Sequence, residues 1–345
     1  MTTEPTKMEG LNKALTRKDL MSSQMIRWCP GCGDYAILAQ AQTVFAELGI
    51  PRENFCVISG IGCSSRFPYY METYGFHTIH GRAATIASGV KLANPALSVW
   101  IITGDGDALA IGGNHTGHLL RRNMDVQVLL FNNRIYGLTK GQASPTSELG
   151  KKTKSTPLGT VENPYNTAAF ALGCGGTFVA RTVDVFTAQM REVLRAAHAH
   201  RGTSFVEAYQ TCEIFNDGAF ADLTDKTVRE EACLMLQNGA PMLYAGGKKG
   251  IRLEGLKPTI VEIGERWSAS DCLVHDETDP TLAGILARME RPFPVPMGVL
   301  HRVQKPTYDA LAAEQIAGAR QKGKHPPIED LLGGGETWTV GGESA

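Results

Sequence analysis

Two kinds of segment alternate along this chain. Short β-branched and apolar runs of strand length are separated by stretches whose apolar residues recur at helical spacing, the pattern of a parallel sheet covered by helices on both faces. The expected fold class is α/β. FCVIS (55 to 59), LSVWIITG (97 to 104), VQVLLFNN (126 to 133), TFVARTV (177 to 183) and SFVEAYQTC (204 to 212) read as buried strands. DYAILAQAQTVFAEL (34 to 48) predicts a helix that closes at Gly49, with Pro51 just beyond and Asp34 where an N-cap would stand. Further helices are expected over 107 to 122 and near 185 to 199.

Polar residues gather where the predicted strands end. GIGCSSR (60 to 66) follows one strand, GDGD (104 to 107) closes another, two amides close a third, and Cys212 stands at the end of SFVEAYQTC. In an open parallel sheet that edge is where ligands bind, because loops and helix starts present their amides there. The sheet is expected to extend through residue 212. Residues 213 to 345 are less regular, with GGKKG, the Pro-rich RPFPVPMG and a final GGGETWTVGGESA that reads as a flexible tail. The expected organisation is an N-terminal arm (1 to 20), a main domain (21 to 215) and a C-terminal extension (216 to 345) packing on the main domain or on a partner. No internal repeat is visible.

Composition narrows the function classes without choosing among them. At 345 residues and 43% hydrophobic content the chain can bury a substantial core. Lys plus Arg (34) nearly cancel Asp plus Glu (35), which argues against a nucleic-acid partner. No run approaches the roughly 20 apolar residues of a membrane span, and the first residues lack a signal-like apolar core, so a cytoplasmic location is the expectation. The 8 cysteines are too sparse for a disulfide scaffold. Cys29 and Cys32 form a close pair that reads as a metal site or a redox dithiol, whereas Cys56, Cys63, Cys174, Cys212, Cys233 and Cys272 are dispersed, as small packed side chains would be.

In GDGD, the glycines allow a backbone to approach a diphosphate closely, and the carboxylate can ligate Mg²⁺. Alone, such a segment is also an ordinary strand-ending turn. Asn133, at the end of the next strand, adds an amide oxygen; with a carboxylate, a backbone carbonyl and two phosphate oxygens it would complete a sensible Mg²⁺ shell.

GDG followed at this distance by NN resembles the motif of thiamine diphosphate enzymes, and the resemblance extends further. WCPGCGD (28 to 34), SGIGCSSR (59 to 66), HTIHGRA (77 to 83), GDGD, RRNMDVQVLLFNN (121 to 133) and YGLTKGQASPTS (136 to 147) are together similar to the beta subunits of 2-oxoacid:ferredoxin oxidoreductases, in order over roughly residues 20 to 215. The resemblance implies a thiamine diphosphate-binding fold of the pyrophosphate-binding type. It implies Asp105, Asn133 and the backbone oxygen of Ile135 as Mg²⁺ ligands, and Gly106, Asp107, Gly137 and Leu138 around the diphosphate. Ile61, Gly62, Cys63, Ser64 and His80 fall near the cofactor; His80, read from its own surroundings, could equally be a structural histidine. For the metal cluster it selects Cys29, Cys32, Cys63 and Cys212 as ligands of [4Fe–4S]. The residues alone leave zinc or a dithiol open, with Cys56 a competing third ligand whose apolar strand setting favours packing.

The activity so implied is oxidative decarboxylation of a 2-oxoacid to acyl-CoA and CO₂, with electrons passing through the cluster to ferredoxin, in a reaction that can run in reverse. Thiamine enzymes use a glutamate to activate the cofactor. None of Glu47, Glu53 or Glu72 stands in a matching motif, so an alpha subunit is expected to supply it, in an (alpha-beta)₂ assembly. A non-oxidative thiamine decarboxylase or lyase and a zinc-stabilised binding subunit are the competing classes. Arg66 sits where some relatives carry a lysine able to meet the carboxylate tail of a longer oxoacid, which favours 2-oxoglutarate over pyruvate or broad specificity; an interface arginine is the alternative. Arg66→Met should raise the KM for 2-oxoglutarate more than that for pyruvate in steady-state assays; equal effects on both would reject the role.

Overall fold

A computed structural model describes residues 14–323, 326–335, 338 and 340. Six parallel strands form the body of the sheet: β1 (Phe55–Ser59), β2 (Tyr74–His77), β3 (Ser98–Gly104), β4 (Gln127–Asn132), β5 (Phe178–Val183) and β6 (Ser204–Tyr209), lying side by side as β2-β1-β3-β4-β6-β5. Their apolar residues serve two faces, because successive side chains of a strand point opposite ways. Val99 and Ile101 of β3 enter one apolar layer with α2 (Ala83–Ala93), α3 (Gly113–Arg122) and α4 (Thr167–Gly173). Trp100 and Ile102 enter the other, with α1 (Asp34–Glu47) and α5 (Thr187–Ala199). Such strands read as continuous apolar runs because both faces are covered.

The strand order places a crevice. From β1 the chain crosses to β2 on one side and then returns to β3 on the other. The connections therefore leave the carboxyl ends of β1 and β3 in opposite directions, the arrangement that opens a ligand crevice in such sheets.

Several elements depart from the sequence-based expectation. Asp34 is not the N-cap of α1: Gly33 holds that place without a side-chain cap bond, and Asp34 is the buried first helical residue. A Cβ at Gly33 would lie 2.0 Å from Asp184 Oδ2, so close packing requires glycine there. The helix expected over 107 to 122 divides into a π-helical turn, Asp107–Ile111, and α3, with Gly112 between them. β2 was not expected; it is an exposed edge strand, so no burial imposes a period on its sequence.

The sheet also continues beyond residue 212. β7 (Cys233–Met235) and β11 (Val295–Arg302) belong to the stretch expected as an irregular extension, yet β11 pairs antiparallel with β5, and β7 pairs with β11, making eight strands in all. Without β11 the edge of β5 would present unpaired amides and carbonyls. The prolines around 292 to 296 disguised the strand. Between β7 and β11, β8 (Leu243–Tyr244), β9 (Lys249–Glu254) and β10 (Lys257–Glu262) form a separate three-stranded antiparallel sheet. Residues 1 to 13 of the expected arm, and residues 336, 337, 339 and 341 to 345 of the expected tail, lie outside the described residues. Among the described residues no helix is long and apolar enough to cross a membrane.

Trp100 is 1% exposed and packs on Phe45 at 4.7 Å between centroids, so it anchors the α1 side of the sheet. Trp100→Ala should lower the chain's unfolding free energy by about 3–5 kcal/mol, measured as a shifted denaturant midpoint; a loss below about 1 kcal/mol would mean that this layer is not close-packed.

Candidate active site

A cavity of about 140 Å³ opens at the carboxyl ends of β1 to β4. The turn after β1 contributes Ile61, Gly62, Cys63 and Ser64, and the turn after β2 contributes His80. Asp105, Gly106 and Asp107 follow β3, while Asn133, Ile135, Gly137 and Leu138 follow β4. Every residue that the family resemblance assigned to thiamine diphosphate or its Mg²⁺ is in this wall. Arg66 is not; it lies on the adjoining 3₁₀ turn, Ser64–Tyr70, near enough to Cys63 for its charge to act on that thiol. Size does not mark the site, since an apolar groove of about 540 Å³ beside β7 and β8 contains none of these residues.

Asp107 organises the loops. Its Oδ1 accepts hydrogen bonds from the Ile61 amide (3.0 Å), the Gly81 amide (2.6 Å) and His80 Nδ1 (2.6 Å), and its Oδ2 accepts from Thr103 Oγ1 (2.7 Å). The carboxylate thus ties the ends of β1, β2 and β3 together. Although it lines the cavity, it is committed to protein donors. Because an ionised carboxylate only accepts, Nδ1 of His80 carries the hydrogen, and Nε2 is the ring nitrogen left free of this contact. A Cβ at Gly60 would lie 1.9 Å from Asp107 Oδ2, so the clamp requires glycine there.

Asp105 is deeply buried. Ser144 Oγ and Thr146 Oγ1 each donate to its Oδ2 at 2.5 Å. Burial pushes its carboxyl above the usual range, opposed by the two hydroxyls and nearby amides. Asn133 Nδ2 donates to Gln210 Oε1 (2.9 Å), and Asn133 Oδ1 accepts from the Ile135 amide (3.2 Å). Ser64 Oγ is buried with no hydrogen-bond partner. Tyr136 donates to the Gly106 carbonyl (3.0 Å), and its own hydroxyl is pushed up to about 12 by burial and then by Asp105 and Asp107.

Cys63 lines this cavity, and Cys29, Cys32 and Cys212 lie near enough to it to interact electrostatically. The Cys32 amide donates to the Cys29 carbonyl (3.2 Å), closing the CxxC turn, and Trp28 Nε1 donates to the Cys63 carbonyl (2.7 Å), fastening that turn to the one after β1. A Cβ on Gly137 would lie 3.5 Å from Cys212 Sγ and 3.6 Å from Cys63 Sγ. Burial raises the Cys63 thiol to about 12, with further upward pushes from Asp34, Cys212 and Cys29; Cys32 is raised further, by burial, Asp34, Cys63 and Cys212. Cys56 is buried in β1 within the apolar layer on the face away from Cys63. Among the described residues, no three His, Cys, Asp or Glu side chains converge as ligands of a single ion.

The sequence reading passed over Ser144, Thr146, Tyr136 and Gln210. Each lay in a segment already recognised, but no spacing rule ties Ser144 or Thr146 to a carboxylate about 40 residues earlier in the chain. Only the return of the loop after β4 brings them there.

Residues 60–208 match the family described as thiamine pyrophosphate enzyme, C-terminal TPP binding domain. The 2-oxoglutarate oxidoreductase subunit KorB of Mycobacterium tuberculosis is 50% identical over 94% of this chain and 88% of its own length. The beta subunit of 2-oxoacid:ferredoxin oxidoreductase 1 from Aeropyrum pernix is 49% identical over 55% of this chain and 60% of its own length. Among solved structures, a chain of the 2-oxoglutarate:ferredoxin oxidoreductase from Magnetococcus marinus, with 2-oxoglutarate, coenzyme A and succinyl-CoA bound, superimposes with a TM-score of 0.75 and 32% identity, covering 95% of this chain and 97% of that one.

A Cβ at Gly106 would lie 2.1 Å from the Tyr136 ring. Gly106→Ala should therefore destabilise the chain by about 1–3 kcal/mol, as overpacking does, and combining it with Tyr136→Ala should cost less than the sum of the two changes. Additive melting shifts in that double-mutant cycle would show that the ring does not fill the space.

Proposed function

Because the chain belongs to the beta subunits of the 2-oxoacid:ferredoxin oxidoreductases, we propose that with an alpha subunit it decarboxylates 2-oxoglutarate oxidatively, giving succinyl-CoA and CO₂ with coenzyme A and passing electrons to ferredoxin. The observation that carries this reading is the meeting of the cavity and the four cysteines at one sheet edge, where Gly137 borders both. The mycobacterial and Magnetococcus relatives, named for 2-oxoglutarate, favour that substrate.

The residues present fit the expected groups. Asp105 is a buried carboxylate in the cavity wall, and a bound Mg²⁺ would offset the cost of its burial. We assign the Mg²⁺ to Asp105, Asn133 Oδ1 and the Ile135 carbonyl, all in the cavity wall. Ser64, with its orphaned hydroxyl, and the backbone at Gly62, Gly106 and Gly137 form the cradle for thiamine diphosphate. We assign a [4Fe–4S] cluster to Cys29, Cys32, Cys63 and Cys212. Cys29, Cys32 and Cys212 are each electrostatic neighbours of Cys63, and four thiolates are the ligand set such a cluster takes.

When bound, thiamine diphosphate supplies the carbon nucleophile for decarboxylation, and the cluster accepts electrons one at a time. The chain's residues shape the setting. Asp107 holds the Nδ1–H of His80, which leaves Nε2 as the nitrogen able to accept a hydrogen bond or a proton within the cavity. Arg66, beside Cys63, offers a guanidinium for the distal carboxylate of the substrate. Gly137 leaves no side chain between the cavity and the sulfurs of Cys63 and Cys212.

Cofactor pockets commonly enclose about 300–1,000 Å³, so a cavity of about 140 Å³ is less than half of such a site. The alpha subunit supplies the rest and the activating glutamate, in an (alpha-beta)₂ assembly. Residues 21 to 215 carry both centres, and β11 and β7, from the stretch after residue 215, extend the sheet beyond β5. Free thiols throughout and a thiolate-held cluster favour the reducing cytoplasm.

Anaerobic co-purification with the alpha subunit, followed by iron, acid-labile sulfide, zinc and thiamine analysis and a coenzyme A-dependent ferredoxin reduction assay, tests the reading. Brown protein that reduces ferredoxin on 2-oxoglutarate is expected; colourless, zinc-loaded protein would defeat it. Cys63→Ser should lose the cluster's iron and visible absorbance, whereas Cys56→Ser should keep both. Chelating Mg²⁺ should release thiamine diphosphate and stop turnover without bleaching the cluster.

A further inference from the structure

One buried side chain touches both proposed centres. Gln210 is 1% exposed and lies just after β6, held by its own amide, which donates to the Asn132 carbonyl at 2.9 Å. Its side-chain oxygen accepts from Asn133 Nδ2 (2.9 Å), and its side-chain nitrogen donates to Cys32 Sγ (3.3 Å) and to the Thr211 carbonyl. We propose that Gln210 is a positioning residue that joins the cofactor's metal to the cluster: it turns the Asn133 amide oxygen toward the Mg²⁺ and donates an N–H hydrogen bond to a cluster thiolate.

The orientation of this chain of amides follows from its ends. The Ile135 amide is a donor, so the Asn133 atom facing it must be Oδ1, which leaves Nδ2 for Gln210. That contact requires an oxygen on Gln210, and the Thr211 carbonyl independently requires Nε2 at the opposite position. Flipping either amide would set donor against donor. The two hydrogens and the oxygen of Gln210 are therefore all committed, and the hydrogen directed at sulfur has no alternative. An N–H donor stabilises the more negative, reduced state of a thiolate-held cluster, and hydrogen bonds to sulfur are among the protein's means of setting its potential.

The inference rests on the cluster and Mg²⁺ assignment above, and its test separates the two. The complex with the alpha subunit is purified anaerobically carrying Gln210→Leu or Gln210→Glu, with iron content confirming an intact cluster. Gln210→Leu loses both contacts. Its cluster potential should fall by about a tenfold change in the one-electron equilibrium, about 59 mV, and the Mg²⁺ concentration for half-saturation with thiamine diphosphate should rise several-fold. Gln210→Glu keeps an oxygen for Asn133 but has no N–H for sulfur, so its potential should fall while the Mg²⁺ requirement stays near that of the unaltered protein. Unaltered potentials in both variants would overturn the proposal, whereas unaltered protein without iron would overturn the functional reading first. If the variants do not fold, unaltered protein labelled with ¹⁵N in glutamine side chains gives the answer: pulsed electron paramagnetic resonance of the reduced cluster should show a ¹⁵N coupling, and its absence would overturn the link to Cys32.

Discussion

The site depends on one buried carboxylate. Asp107 gathers Thr103 from β3, the Ile61 amide after β1, and the Gly81 amide and His80 ring after β2. Strand ends in a parallel sheet diverge into separate loops, and nothing in the hydrophobic pattern holds those loops in register with one another. Four donors on a single acceptor group do so. The same clamp fixes the His80 tautomer and excludes a side chain at Gly60.

Behind that clamp the structure maintains a polar layer inside an apolar sheet. Asn132 Nδ2 donates to Glu207 Oε1 at 2.8 Å, and Glu207 is paired with Arg181 at 2.8 Å, both nearly sealed from solvent. Thr146 stands between Asn132 and Asp105, within 2.9 Å of the first and 2.5 Å of the second. A buried ion pair of this kind is a weak source of stability, since desolvation opposes the attraction, but breaking it leaves an uncompensated charge. Its value here is positional: it fixes the amide run after β4 from which Asn133 and Ile135 reach the cavity.

The polar layer also explains how two centres of different chemistry share one edge. β1 ends toward the Cys63 turn, β6 leads to Gln210 and Cys212, and β4 lies between β3 and β6 in the sheet, with Gly137 of the loop after β4 beside Cys63 and Cys212. Gly137 sits at that border, where a Cβ would come into van der Waals contact with the sulfurs of Cys63 and Cys212.

The sequence by itself determined the α/β alternation and the buried strands β1 and β3 to β6, because burial imposes periodicity, and its resemblance to a known family marked many of the residues that line the cavity. It also showed that Cys56 belongs to a packed strand. What it could not supply were contacts between loops far apart along the chain: Ser144 and Thr146 on Asp105, four donors on Asp107, and Gln210 between Asn133 and Cys32. It likewise missed β2, an exposed edge strand with no burial pattern, and β11, hidden by proline and paired to β5 across more than 100 residues of chain. Periodicity records which face of an element meets the core; hydrogen bonds between loops depend on where the sheet brings those loops, and only the tertiary structure decides that.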